Sequence, residues 1–172
     1  MNTPKAPRFF IGLDAGHPTG LATWDAVEER FAVLTTTTFW EAIALVETYP
    51  AGEVVVVVED PAQNRPTFAH GTPHTLKAAR RREKISRDVG QNQREAKLLA
   101  DGLGRKGYRV RRTRPRSRKL NAEQFRRLTR YPGRTSQHAR DAGMLVFGLK
   151  RAPFDASPGA LSLSLYAPPE TP

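Results

Sequence analysis

EVVVVVED, residues 53–60, is the stretch on which the fold turns. Five consecutive valines leave no polar side chain for either side of an extended chain to turn toward water. A strand of that kind belongs in the middle of a sheet covered on both faces, the setting of parallel and mixed sheets. Working outward, FWEAIALVETY (39–49) sets Phe39, Ile43, Val46 and Tyr49 at helical spacing, and Pro50-Ala51-Gly52 ends that helix just before the valines. Upstream, RFFIGL (8–13), GLATW (20–24) and FAVLTTT (31–37) are three short apolar or β-branched runs with turn residues between them. They predict an antiparallel meander.

Downstream of the valines, residues 61–75 are rich in Pro, Asn and Gly, and are long for a passive loop. Residues 76–103 predict one or two helices, with an apolar face of Val89, Gln93, Ala96, Leu99, Ala100 and Leu103. YRVRRTRP (108–115) reads as a further strand and AEQFRRLT (122–129) as a short helix. TSQHARDAGMLVFGL (135–149) reads as a longer helix that starts at Thr135 or Ser136. Alternating strands and helices give an α/β fold: a mixed five-stranded sheet, three strands antiparallel and then two parallel, flanked by helices. Residues 1–151 form one domain on this reading, and 152–172 a Pro-rich tail. Within the tail, ALSLSLY (160–166) alternates like an edge strand or a strand that pairs with a partner.

The chain of 172 residues has no cysteine, which removes disulfides and Cys-type zinc sites. No apolar run approaches the ~20 residues of a membrane span. Both features predict a cytoplasmic protein with no membrane attachment. The net charge of +11 is unevenly spread. Residues 1–70 carry 4 Lys/Arg against 9 Asp/Glu, whereas residues 71–145 carry 22 against 6. The excess is mostly arginine, whose planar fork pairs with phosphate, so a nucleic acid is the natural partner. Arg80, Arg81, Arg82, Arg87 and Arg94 fall in the long helical segment. Arg112, Arg114, Arg116, Arg118 and Lys119 lie in or just after the last strand. These ten are the candidate backbone contacts, which position DNA without reading its sequence.

Against that basic background the acidic residues are the informative ones. Asp14 ends the first strand and Glu59 ends the valine strand. His138 and Asp141, three apart in the last helix, share one helix face. If the first and fourth strands are neighbours, their carboxyl ends bring Asp14 and Glu59 together, and the last helix has only to pack across that end. Carboxylates so crowded repel unless a cation neutralises them. Oxygen ligands with one imidazole suit Mg2+ or Mn2+, and such a set can hold two ions, the arrangement used for attack of water on a phosphodiester. Each residue also has an ordinary use: Asp14 as a turn residue capping Gly16, Glu59-Asp60-Pro61 as a strand-ending turn, His138 as a hydrogen-bonded helix histidine, and Asp141 with Arg140 as surface charge.

The ordered set IGLDAGHPTGLA (11–22), VVVVVED (54–60), SRDVGQNQREAKLLADGL (86–103), TRPRSRK (113–119) and YPGRTSQHARDAGML (131–145) resembles the RuvC-type Holliday junction resolvases, phage-encoded relatives included. These have the ribonuclease H-like nuclease fold. The resemblance implies that Asp14 is the first-strand metal ligand and Glu59 the fourth-strand carboxylate. It makes His138 and Asp141 the last-helix ligands, histidine standing in for an aspartate. It further implies a homodimer on four-way junction DNA that makes paired symmetric nicks with two Mg2+ or Mn2+ ions per active site. Phe68 is the candidate for the aromatic that stacks near the junction centre, and ARRREK (79–84) is a basic addition. Competing readings are another ribonuclease H-like nuclease acting on RNA–DNA hybrids or branched DNA, a non-catalytic DNA-binding protein, and an actin-like phosphotransferase. The last of these needs a much longer chain.

Overall fold

The computed structural model describes residues 6–64 and 75–151. Its five strands are β1 (Phe9–Asp14), β2 (Thr19–Asp25), β3 (Arg30–Thr37), β4 (Val54–Glu59) and β5 (Arg109–Thr113). They form one sheet in the order β3-β2-β1-β4-β5. The first three run antiparallel as a meander, and β4 and β5 lie parallel to β1. Four helices flank the sheet: α1 (Phe39–Glu47), α2 (Leu76–Arg105), α3 (Ala122–Thr129) and α4 (Gln137–Val146). The expected mixed α/β sheet is therefore present, with its strands in the expected directions. Among the described residues, no helix is long and apolar enough to cross a membrane.

Strand periodicity explains the two cores. In β4, Val54, Val56 and Val58 join Ile11 and Leu13 of β1 under α1 and α2, with Val46, Leu99 and Leu103. Val55 and Val57 point the other way and pack with Phe10, Trp24, Phe125 and Ala142 under α3 and α4. All five valines are at most 5% exposed, as a strand covered on both faces must be. The same alternation puts Phe10, Gly12 and Asp14 of β1 on the α4 face, together with Val55, Val57 and Glu59 of β4.

Helix starts follow local chemistry. Thr38 with Glu41 and Asn121 with Gln124 form capping boxes at α1 and α3. Ser136 caps α4 by accepting from the Ala139 amide. Residues 76–105 form one continuous helix about 45 Å long, by the 1.5 Å rise per residue, so the expected one or two helices are one. Two details depart from the sequence reading. The apolar face of α2 stops being buried beyond the body, so Val89 is 41% exposed while Ala96, Leu99 and Leu103 are covered. The last helix ends at Val146 rather than at 149. Gly148 takes φ +74, Phe147 packs its ring on Trp24, and the Trp24 indole donates to the Leu149 carbonyl. Residues 152–172, with the alternating stretch at 160–166, lie outside the described residues, as does most of the 61–75 stretch.

Candidate functional site

Asp14 and Glu59 are paired residues of β1 and β4, side by side at the carboxyl end of two parallel strands. Parallel neighbours are about 4.8 Å apart, and both side chains lie on the α4 face, so two carboxylates share one corner of the sheet. The turn alternatives fall to other residues. The Gly16 amide donates to Glu95, which also accepts from Thr19, and Asp60 rather than Glu59 caps the turn at Ala62. Asp14 and Glu59 are thus free of turn duty.

Helix α4 reaches this corner because β1 and β2 offer it two side-chain-free positions. A Cβ on Gly12 would lie 2.2 Å from the Ala142 carbonyl oxygen, and one on Gly20 would lie 2.1 Å from that of His138. Backbone thus packs on backbone, and α4 comes down over β1 and β2 with its first turn at the end of β1 that carries Asp14. His138 Nδ1 and Asp14 Oδ2 are hydrogen-bonded at 2.8 Å. With Nδ1–H as the donor, Nε2 keeps its lone pair for another partner. One turn on, Asp141 accepts from the Gln137 side-chain Nε2 at 2.7 Å and from Lys119 Nζ at 2.6 Å. The Asp141 side chain is 10% exposed and that of Lys119 58%, so the lysine reaches inward from the surface.

The electrostatics record carboxyls that are buried first and crowded by one another second. Burial pushes the Asp14 carboxyl above its usual range, against the lowering effect of His138. Glu59 is pushed up to about 7, by burial first and then by Asp14 and Asp141. Lys119 is raised by its bond to Asp141. A carboxyl whose pKa rises on folding stabilises the fold in its protonated form. The Glu59 contribution is complete below the unfolded value of 4.5 and is lost as pH climbs through about 7. After a discount for the part of the carboxyl that water screens, the rise corresponds to roughly 1–2 kcal/mol. Urea denaturation with chelator present is therefore expected to show wild type losing stability between pH 5 and pH 8 relative to Glu59→Gln. Parallel pH curves for the two proteins would mean that Glu59 is not held in this environment.

The four acidic-site candidates, Asp14, Glu59, His138 and Asp141, are accordingly drawn to one corner. Among the described residues, no three His, Asp or Glu side chains converge as they stand to hold one ion. The reason is visible in the contacts: Asp14 is turned onto His138 and Asp141 onto Lys119. The donor set nevertheless fits a hard divalent cation. It consists of carboxylate oxygens with one imidazole, charged enough to draw a lysine inward.

No protein-family model, curated protein or solved structure matches this chain.

The basic candidates divide into three groups. Arg116 and Arg118 line a small cleft with Glu59, Lys119 and Asp141, at the mouth of the acidic corner. Arg112 is tied at 3.3 Å to the buried carboxylate of Asp60, so it braces the β4 turn. Arg114 is exposed in the loop beyond β5, and Arg80, Arg81, Arg82, Arg87 and Arg94 are exposed along α2. Because Asn92 of α2 faces Gly16, 3.4 Å from where a Cβ there would lie, Arg80–Arg82 lie about 15–18 Å further along the helix axis from the β1 turn. Phe68 lies outside the described residues.

Two contributors have roles that the sequence does not signal. Glu95 sits among polar helix residues, yet it ties the β1–β2 turn to α2. Arg140 is buried, not surface charge, and donates to the carbonyls of Leu120 and Thr135 and to the Gln137 side chain. It pins the Lys119 loop and the entry to α4 onto one another.

Proposed function

We propose that this protein is a divalent-metal-dependent endonuclease of the ribonuclease H-like class, resembling the RuvC-type resolvases in its sequence motifs, that cuts four-way DNA junctions by paired symmetric nicks. The observation that carries the reading is the pairing of Asp14 with Glu59 at the ends of two parallel strands, with His138 and Asp141 delivered to the same corner by α4. The strand order β3-β2-β1-β4-β5, with a helix layer on each face, is compatible with the ribonuclease H-like architecture.

Asp14, Glu59, Asp141 and the free nitrogen of His138 would hold Mg2+ or Mn2+. Bound there, the ions would supply Lewis-acid polarisation of the scissile phosphate and of the attacking water. The protein's own groups do the rest. Asp14 fixes the His138 ring through Nδ1, and Gln137 fixes the Asp141 carboxylate. Arg116 and Arg118 stand at the mouth of the corner, where a phosphate backbone would need positive charge. The arginines of α2, displaced along the helix, suit an adjacent duplex arm rather than the cut strand. A four-way junction presents two equivalent strands, so the reading includes a two-fold homodimer with one site for each cut.

The test is cleavage of labelled four-way junction, linear duplex and RNA–DNA hybrid in Mg2+ and in Mn2+. Paired nicks confined to the junction are the expected result. Cleavage of the hybrid instead would keep the site and replace the substrate, and binding with no cleavage anywhere would leave a non-catalytic DNA-binding protein.

A further inference from the structure

Lys119 occupies a position that phosphate contact alone does not explain. Arg116 and Arg118 line the same cleft, but it is Lys119, with a side chain still 58% exposed, whose ammonium reaches in to pair with Asp141 at 2.6 Å. Asp141 is otherwise almost closed to solvent, so the ammonium covers its open side. The next residue, Leu120, is held through its carbonyl by Arg140, a buried side chain of the same helix that carries Asp141. The backbone at 119–120 is therefore anchored. The lysine stem, with four rotatable carbons, is the part that can move.

We propose that Lys119 is a tethered counter-ion: it neutralises the carboxylate corner in the metal-free protein and competes with the divalent cation for Asp141, leaving as the cation enters. The proposal rests on the divalent-ion reading of the site. The exchange needs no backbone rearrangement, since Arg140 holds the loop and only side-chain torsions of Lys119 change. Once displaced, the ammonium is carried on a loop that already holds Arg116 and Arg118, where a DNA phosphate is the available partner. Metal and DNA then favour each other's binding, because each relieves a cost that the other would otherwise meet, and such coupling is reciprocal.

The test measures Mn2+ affinity by calorimetry at pH 8 for wild type, Lys119→Met and Arg118→Met, without DNA. Lys119→Met is expected to bind Mn2+ on the order of tenfold more tightly, the factor that about 1.4 kcal/mol of lost competition represents. Arg118→Met removes the same charge from the same loop and the same cleft but leaves the Lys119–Asp141 pair in place, and is expected to change affinity by less than about twofold. Equal effects in the two variants would reduce Lys119 to a long-range charge and overturn the proposal. Wild type that binds Mn2+ with Lys119→Met no tighter would also overturn it, while leaving the metal reading intact. Absence of Mn2+ binding in all three proteins would remove the metal reading itself.

A second measurement needs no substitution. Acetylation of Lys119 by a succinimidyl ester, followed by peptide mass spectrometry, should accelerate when Mn2+ is added to wild type. An unchanged rate in protein that binds Mn2+ would show that the lysine does not leave.

Discussion

Asp14→Asn is expected to reduce junction cleavage by at least about 10^3-fold, the equivalent of ~4 kcal/mol of lost transition-state stabilisation at 1.36 kcal/mol per tenfold. Asp14 is the one residue that stands beside Glu59 in the sheet and also holds the imidazole brought by α4. An amide keeps the side-chain shape and an oxygen that can accept from His138, but it removes the charge that a divalent ion needs. The fold should not suffer. The Asp14 carboxylate is buried and its pKa raised, so the neutral amide relieves a desolvation cost. Thermal denaturation in chelator should accordingly give Asp14→Asn a stability equal to or above wild type. Junction binding, measured by gel shift in the same buffer, should be retained, because the substitution leaves the arginines proposed to meet DNA unchanged. Normal cleavage by the variant would mean that the reacting phosphate is held at some other place.

Gly12→Ala is expected to be strongly damaging for the addition of a single methyl group. Its Cβ would lie 2.2 Å from the Ala142 carbonyl oxygen, a backbone atom that no side-chain rotation can move away. Helix α4 must then lift from β1, at about 3 kcal/mol of overpacking. For a chain of this size each kcal/mol corresponds to roughly 2–4 °C, so a fall of about 6–12 °C in Tm is expected. Cleavage should fall further than stability alone explains, since His138 and Asp141 ride on the displaced helix. Gly104→Ala is the internal comparison. It lies in α2 with nothing within 4 Å of its Cβ, and should be neutral or stabilising by up to about 1 kcal/mol. Scanning calorimetry of the two variants separates a general intolerance of added methyls from a specific seat for α4. Equal Tm values for Gly12→Ala and wild type would overturn the account of how the site is assembled.

The site was partly legible because strands write their geometry in alternation. The valines of β4 announce a strand covered on both faces, and a carboxylate at the end of each of two such strands announces a polar corner. Whether Asp14 and Glu59 share a face depends on register, and the match of Asp14 with Glu59 follows from pairing β1 with β4 along their whole lengths. The helix spacing of His138 and Asp141 was likewise local information.

Lys119 and Arg140 were legible only as charge. In sequence, Lys119 belongs to an arginine-rich loop, and that composition suggests a surface facing phosphate. Its bond to Asp141 joins residues 22 apart and depends on where the loop re-enters over α4. Arg140 adjoins Asp141 in sequence, yet it points into the protein and holds the loop. Glu95 reaches across 79 residues to the β1–β2 turn.

What the sequence by itself determined is therefore the period and direction of each element, the two-sided burial of β4 and the separation of acidic from basic halves. These are properties of neighbours along the chain, decided by steric preference and by which side chains must leave water. What only the tertiary structure decided is where α4 and α2 cross the sheet and which cation seats itself among the carboxylates. Those choices are made by contacts between distant residues, at glycine notches and through single hydrogen bonds, and no local pattern of hydrophobicity or charge carries them.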